Sequence, residues 1–315
     1  MEPAPYFDDV AAGPEGGRAV WAIGADGVRV RVGVWPTGAK GTVLMFPGRT
    51  EYVEKYSDAA AHLAAAGYAS AAIDWRGQGL TTRPRHNKRI GHVEDFHDYQ
   101  KDVQAMLAVC EAEELPRPYM LLGHSMGGLI GLRAVMDRDV FASAAFSAPM
   151  WGLPLPPHKR FAAWTLCSLA SVVGIGEWDT PRSGKVADPA AAPFDGNLLT
   201  NDPEMFRWIQ TQVGTHPELA LGGPSMGWVW AALREMHTLA RRAAPDVPCL
   251  VLLGSDEGIV DPDAIHVRAA SWDGAVVEVQ PNLRHEALME DAATRARLYQ
   301  RIAQHFDAVT AMQPA

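Results

Sequence analysis

Tyr119–Met136 reads YMLLGHSMGGLIGLRAVM, and three kinds of segment follow one another within it. Tyr119–Leu122 is a short apolar run with the character of a buried strand. Gly123-His124-Ser125-Met126-Gly127 fits the pattern G-x-S-x-G, and Gly127–Arg138 carries apolar residues at the helical period. A strand that turns directly into a helix brings backbone against backbone, which glycine on both sides of the serine permits. The turn exposes the serine hydroxyl at the carboxyl end of the strand, where the N–H groups of the helix's first turn also point. A glycine-rich packing turn would give the same letters. The strand–turn–helix frame makes Ser125 the candidate nucleophile instead.

Working outward, short apolar runs alternate with helix-like segments, the pattern of a largely parallel sheet with helices on both faces. The strand candidates are Thr42–Phe46, Ala69–Ile73, Tyr119–Leu122, Ala142–Phe146, Cys249–Leu253 and Val276–Val279. Ala19–Ile23 and Val28–Trp35 flank Gly24-Ala25-Asp26-Gly27 and read as a hairpin, because Asp-Gly suits the positive φ of a tight turn. Ser57–Ala66, Phe96–Glu113, Gly127–Arg138 and Thr294–Val309 are the helix candidates.

Between about Pro149 and Pro248 the alternation stops. Prolines and six tryptophans (Trp151, Trp164, Trp178, Trp208, Trp228 and Trp230) fill an irregular or helical stretch before the strand rhythm resumes at Cys249. Residues 1–148 and 248–315 therefore read as two parts of one α/β core, with 149–247 as an inserted helical cap. An extra helical layer with no binding role is the plainer alternative. The chain's 315 residues suit one large domain or two small ones at roughly 150 residues each.

Composition narrows the function classes. Apolar residues make up 48% and charged residues 21%, as in a folded globular protein. Lys and Arg total 28 against 37 Asp and Glu, a formal charge of −9. Without basic clusters, such a chain is a poor match for nucleic acid phosphates. Cys110, Cys167 and Cys249 are scattered with no C-x-x-C spacing, which argues against a disulfide framework and against structural zinc. The first residues show no basic segment leading into an apolar one. The uncharged run Phe161–Gly176 is shorter than the ~18–20 residues of a spanning helix. A cytoplasmic location is the expectation.

A serine hydroxyl needs a base to take its proton. Of eleven histidines, His285 is the strongest candidate, in a loop after the last strand candidate and before the final helix. His124 adjoins the serine, but adjacent side chains on a tight turn diverge. His86, His92 and His97 lack the spacing that places a metal pair on one helical face. A carboxylate must then fix the histidine tautomer. Gly254-Ser255-Asp256-Glu257-Gly258-Ile259-Val260-Asp261 follows a strand candidate, and the order serine, acid, histidine leaves Asp256, Glu257 and Asp261 all open. Oxyanion donors are expected at Met126 N–H and at Arg49 N–H, where Thr42–Phe46 runs into Pro47-Gly48-Arg49-Thr50. Pro-Gly is also simply a common turn.

These motifs together resemble the α/β-hydrolases of the bacterial lysophospholipase and monoacylglycerol lipase group, sometimes filed with serine aminopeptidases. The likeness runs through Pro47-Gly48-Arg49 with Tyr56, and through Asp74-Trp75-Arg76-Gly77-Gln78-Gly79. It continues in Gly91-His92-Val93 with Phe96 and Tyr99, Gly123 to Gly128, Gly254 to Asp261, and Arg284-His285-Glu286. It spans about residues 18 to 310 and leaves the cap unmatched in detail. In such proteins the acid stands three residues after the strand-ending glycine, which implies Glu257 rather than Asp256. Most relatives carry Asp there, so the Glu is a departure. Pro47-Gly48 in place of His-Gly tilts the likeness toward the lysophospholipase-like branch.

The resemblance implies an α/β-hydrolase fold and a serine hydrolase that cleaves a carboxylic ester, a lysophospholipid or monoacylglycerol, with no metal or organic cofactor. An amidase or peptidase of the same fold, and a noncatalytic ligand-binding homologue, are the alternatives. The run Phe161–Gly176 could line an acyl channel, touch a membrane surface transiently, or be ordinary core helix.

Overall fold

Alternate residues of each central strand serve opposite faces of one sheet. The computed structural model describes residues 1–83, 88–180 and 189–310, leaving aside the side chains of Pro157 and Pro189. In β4 (Thr42–Phe46), Leu44 and Phe46 pack into one core while Val43 and Met45 pack into a second. β6 (Tyr119–His124) and β8 (Cys249–Gly254) divide likewise, Leu121 and Val251 to the first, Met120 and Leu250 to the second. A strand buried on both faces carries no polar alternation, which is why these segments read as continuous apolar runs.

The remaining strands are β1 (Glu2–Ala4), β2 (Arg18–Ile23), β3 (Arg29–Trp35), β5 (Ala69–Asp74), β7 (Phe141–Ser147) and β9 (Ala275–Gln280). Among the described residues the sheet order is β1-β2-β3-β5-β4-β6-β7-β8-β9. β1 to β3 pair antiparallel, and β3 meets β5 antiparallel. From β5 to β9 every pairing is parallel. α2 (Tyr99–Ala112) and α3 (Met126–Asp137) cover the first core; α1 (Ser57–Ala65) and α8 (Ala292–Thr310) cover the second. All the parallel strands thus aim their carboxyl ends at one edge, where ligands of such sheets bind.

The sequence reading missed β1, a three-residue edge strand bearing Pro3. The helix expected from Phe96 opens as a short 3-10 turn at Phe96–Asp98, capped by the Asp95 carboxylate, and becomes α-helical only at Tyr99. Between β7 and β8 run α4 (Pro157–Val172), α5 (Pro203–Thr215) and α6 (Met226–Leu239). Pro157 and Pro203 stand in the first turns of α4 and α5, where a missing N–H costs nothing. α7 (Pro262–Ala270) follows β8 and inserts Ile265 into the first core.

The uncharged run forms most of α4. One face, with Cys167 and Ala170, packs on Met226 of α6. The other face presents Phe161, Leu169 and Val172 at 73%, 58% and 83% exposure, so this helix is not ordinary core. No helix among the described residues is long and apolar enough to cross a membrane.

Candidate active site

Ser125 links β6 to α3 with φ 50° and ψ −116°. A residue with a side chain pays on the order of 1–3 kcal/mol for such a conformation, which persists only where its neighbours impose it. Here the Ser125 N–H donates to Ser147 O at 3.1 Å, and its carbonyl accepts from Gly128 and Met150 N–H at 2.9 and 2.8 Å. Glycine at 127 is obligatory, because a Cβ there would lie 1.9 Å from Phe46 O at the end of β4. That contact presses the start of α3 against the loop leaving β4.

His285 sits on the loop after β9, with Nδ1 2.7 Å from Glu257 Oε2. Both side chains are sealed from solvent. Glu257 Oε1 accepts from the N–H groups of Ile259 at 2.6 Å and Val260 at 3.0 Å. Burial alone would raise the carboxyl's pKa, but His285 and these two N–H groups hold it below its ordinary value. Gly254 allows the loops to meet, since a Cβ there would lie 2.2 Å from Leu283 O.

The other two acids serve elsewhere. Asp256 is exposed and accepts from Ser255 Oγ at 2.9 Å. Asp261 caps α7 by accepting from Asp263 N–H at 3.1 Å. The structure brings Glu257 to His285 and leaves Asp256 and Asp261 apart from it.

His124 diverges from Ser125. Its Nδ1 donates to Ser147 O at 3.1 Å, and its ring lies 4.8 Å from that of His285. Burial lowers its pKa, against the opposing pull of the Glu51 carboxylate. His92 Nδ1 pairs with Ser225 Oγ at 2.7 Å, His97 is exposed, and His86 lies outside the described residues.

Gln78 bridges the loop after Arg49 and the Met126 side chain: its Oε1 accepts from Thr50 N–H at 2.6 Å and its Nε2 lies 3.9 Å from Met126 Sδ. Among the described residues neither the Arg49 nor the Met126 N–H has an acceptor. Met126 opens α3, so its N–H has no partner within the helix. Thr50 takes φ 71°, which turns the loop after Arg49.

Beneath this loop lies a buried ionic cluster that sequence reasoning missed. Glu51 accepts from Gly48 N–H, from Lys55 Nζ at 2.5 Å and from Tyr56 OH at 2.6 Å. Lys55 Nζ also reaches Glu286 Oε2 at 2.5 Å. Glu51, His124 and Glu286 place ligand atoms within 4.8 Å of one another, as a metal site would. The Lys55 ammonium already bridges the two carboxylates. Burial opposes the Glu51 charge, but Lys55 and His124 prevail and bring its pKa down to about 2.

The chain matches the Hydrolase_4 family (serine aminopeptidase, S33) over residues 37–292. It is 29% identical to lysophospholipase L2 of Escherichia coli over 276 residues, 81% of this chain and 76% of that one. With the monoglyceride lipase of Saccharomyces cerevisiae it shares 32% over 250 residues, 75% of each chain. A solved soluble variant of that lipase, bound to a substrate analog, superposes with a TM-score of 0.72 at 22% identity, covering 97% of this chain and 99% of that one. The chain belongs to the Hydrolase_4 (serine aminopeptidase, S33) family and has the α/β-hydrolase fold.

Proposed function

We propose that this chain is a serine hydrolase that cleaves the carboxylic ester of a monoacyl lipid, a lysophospholipid or a monoacylglycerol, through an acyl-enzyme. The observations that carry the reading are the 2.7 Å contact between His285 Nδ1 and Glu257 Oε2 and a serine held on a strained elbow. The names of its relatives, lysophospholipase L2 and monoglyceride lipase, support the substrate class.

Glu257 stays ionised and accepts a hydrogen bond from Nδ1–H, so the neutral ring carries its lone pair on Nε2. Nε2 takes the Ser125 hydroxyl proton as Oγ adds to the ester carbonyl. Charge collects on the carbonyl oxygen, where Arg49 and Met126 N–H groups donate to it. Collapse of the adduct breaks the acyl C–O bond, and His285 returns the proton to the departing alcohol. Water then enters with His285 again as base, releasing the fatty acid and restoring Ser125.

The segment 149–247 serves as a cap between the two parts of the core, 1–148 and 248–315. The exposed apolar face of α4 meets a membrane surface transiently, where monoacyl lipids reside. Three unpaired cysteines, all buried, fit a cytoplasmic setting.

The test is turnover of a monoacylglycerol, a lysophospholipid, a short aryl ester and an aminoacyl arylamide by the full chain. Ester cleavage that falls roughly 10⁴–10⁶-fold in Ser125→Ala, with unchanged circular dichroism, is expected. Preference for the arylamide, or activity surviving in Ser125→Ala, would refute the reading.

A further inference from the structure

Arg49 offers more than its backbone N–H. Its side chain runs from the proposed oxyanion loop to the cap, where Nη2 donates to Gly222 O at 2.5 Å and the guanidinium lies 5.4 Å from the Trp228 ring. Nε is sealed from solvent and has no hydrogen-bond partner. Among the described residues no carboxylate pairs with it. Burial, hardly offset by the nearby Tyr99 phenol, lowers its pKa to about 10.

Three other arginines, Arg31, Arg76 and Arg83, are engaged at every nitrogen, while buried Arg268 rests on the Arg242 and Leu239 carbonyls. Arg31 meets Asp74, Glu54 and Pro5 O. Arg76 forks onto Asp102 and Asp26, and Arg83 is wrapped by backbone carbonyls of both core and cap. An enclosed charge is costly unless it is paired and hydrogen-bonded, and one carbonyl contact is a small return for a guanidinium. A neutral donor would hold Gly222 O as well. The guanidinium N–H groups not held by Gly222 suit the oxygens of a phosphate. In a chain of net charge −9, a cation without a carboxylate partner among the described residues favours a negative group beside the reacting carbonyl.

We propose that the Arg49 guanidinium binds the phosphate of a lysophospholipid head group and so directs the enzyme to phosphate-bearing monoacyl esters over neutral ones. The phosphate stands one glycerol away from the scissile ester, and the guanidinium stands one side chain away from the oxyanion donor. This assignment rests on the ester-hydrolase reading of the same site.

The test compares decanoyl lysophosphatidylcholine with monodecanoylglycerol, taking the ratio of their kcat/KM values so that any loss common to both cancels. In Arg49→Met the ratio should fall about tenfold or more, the scale of a charge-assisted contact, and Arg49→Lys should recover part of it as a point charge. A ratio within about twofold of the wild-type value would overturn the proposal. Calorimetric titration of the full chain with glycerol 3-phosphate, inorganic phosphate and glycerol supplies a second readout. Binding of glycerol 3-phosphate that exceeds the other two and vanishes in Arg49→Met is expected. Equal binding of inorganic phosphate would assign the site to the free anion and overturn the head-group assignment. A chain that cleaved neither ester, yet bound glycerol 3-phosphate through Arg49, would sink the hydrolase reading while upholding the phosphate site.

Discussion

At the scale of the residue, three carboxylates within six positions divide three tasks. Glu257 receives His285 and two loop N–H groups, Asp256 faces water, and Asp261 caps a helix. Removing the Glu257 charge should misorient the imidazole and leave its developing positive charge unsupported. Glu257→Gln should therefore lower kcat by up to ~10⁴, as losing the carboxylate of such a triad does. Asp256→Asn removes only an exposed charge, whose field solvent screens, and should stay within a few-fold of wild type. Steady-state kinetics on one ester, with circular dichroism on both variants, decides the matter; the reverse ranking would give the role to Asp256. The chain order of serine, acid and histidine leaves all three acids open, because sequence carries no record of which way a loop side chain turns. The likeness to related hydrolases narrows the choice to Glu257, and the loop backbone shows how the longer side chain fits. Its Oε1 is tied to Ile259 and Val260 while Oε2 reaches the ring. Arg49 was legible only for its N–H; its guanidinium acquires meaning from Gly222 and Trp228, distant in sequence and near in space.

At the scale of the element, legibility follows periodicity. β4, β6 and β8 are apolar on both faces and stand out in the sequence, whereas β1 has three residues and a proline, too little for any period to register. α4 hides for a different reason: apolar residues on its exposed face as well as its packed one erase the amphipathic signal. The Glu51–Lys55 pair was illegible in its own way, because an acid and a base four apart read as a solvated helix pair. Instead it is buried and joins the loop after β4 to Glu286 beside the catalytic histidine candidate. Glu51 is faced by Lys55, Tyr56 OH, Gly48 N–H and His124, and its pKa is depressed to about 2. A carboxyl depressed on folding stabilises the fold above its ordinary pKa of ~4.3 and loses that contribution as pH falls through the folded value. Urea unfolding should therefore show wild type more stable than Glu51→Gln at pH 7, with the gap roughly halved by pH 3. A gap that held constant or widened on acidification would mean that Glu51 is not held ionised by this cluster.

At the scale of the whole molecule, short-range attraction and long-range repulsion act on the proposed contact between α4 and a membrane. The chain carries a net charge of −9, spread over a surface much larger than the face that would touch lipid. Phe161, Leu169 and Val172 supply the apolar contact, and exposed Lys159 and Arg160 stand at the start of the same helix. At about 0.01 M salt the Debye length is ~30 Å, so an anionic surface senses most of the molecule's negative charge. At about 0.15 M it shrinks to ~8 Å, and the surface senses chiefly the two cations and the apolar side chains nearest to it. Co-sedimentation with phosphatidylglycerol-containing vesicles should consequently strengthen as salt rises from about 0.01 to 0.15 M, the reverse of an ordinary basic-patch interaction. Binding to pure phosphatidylcholine vesicles should change little over that range and exceed anionic binding at low salt. Val172→Ser together with Phe161→Ser should weaken both, since burying their apolar surface is the shared attraction. Binding to anionic vesicles that weakened steadily with salt would place the contact on basic residues instead, and binding indifferent to the double substitution would take α4 out of the interface.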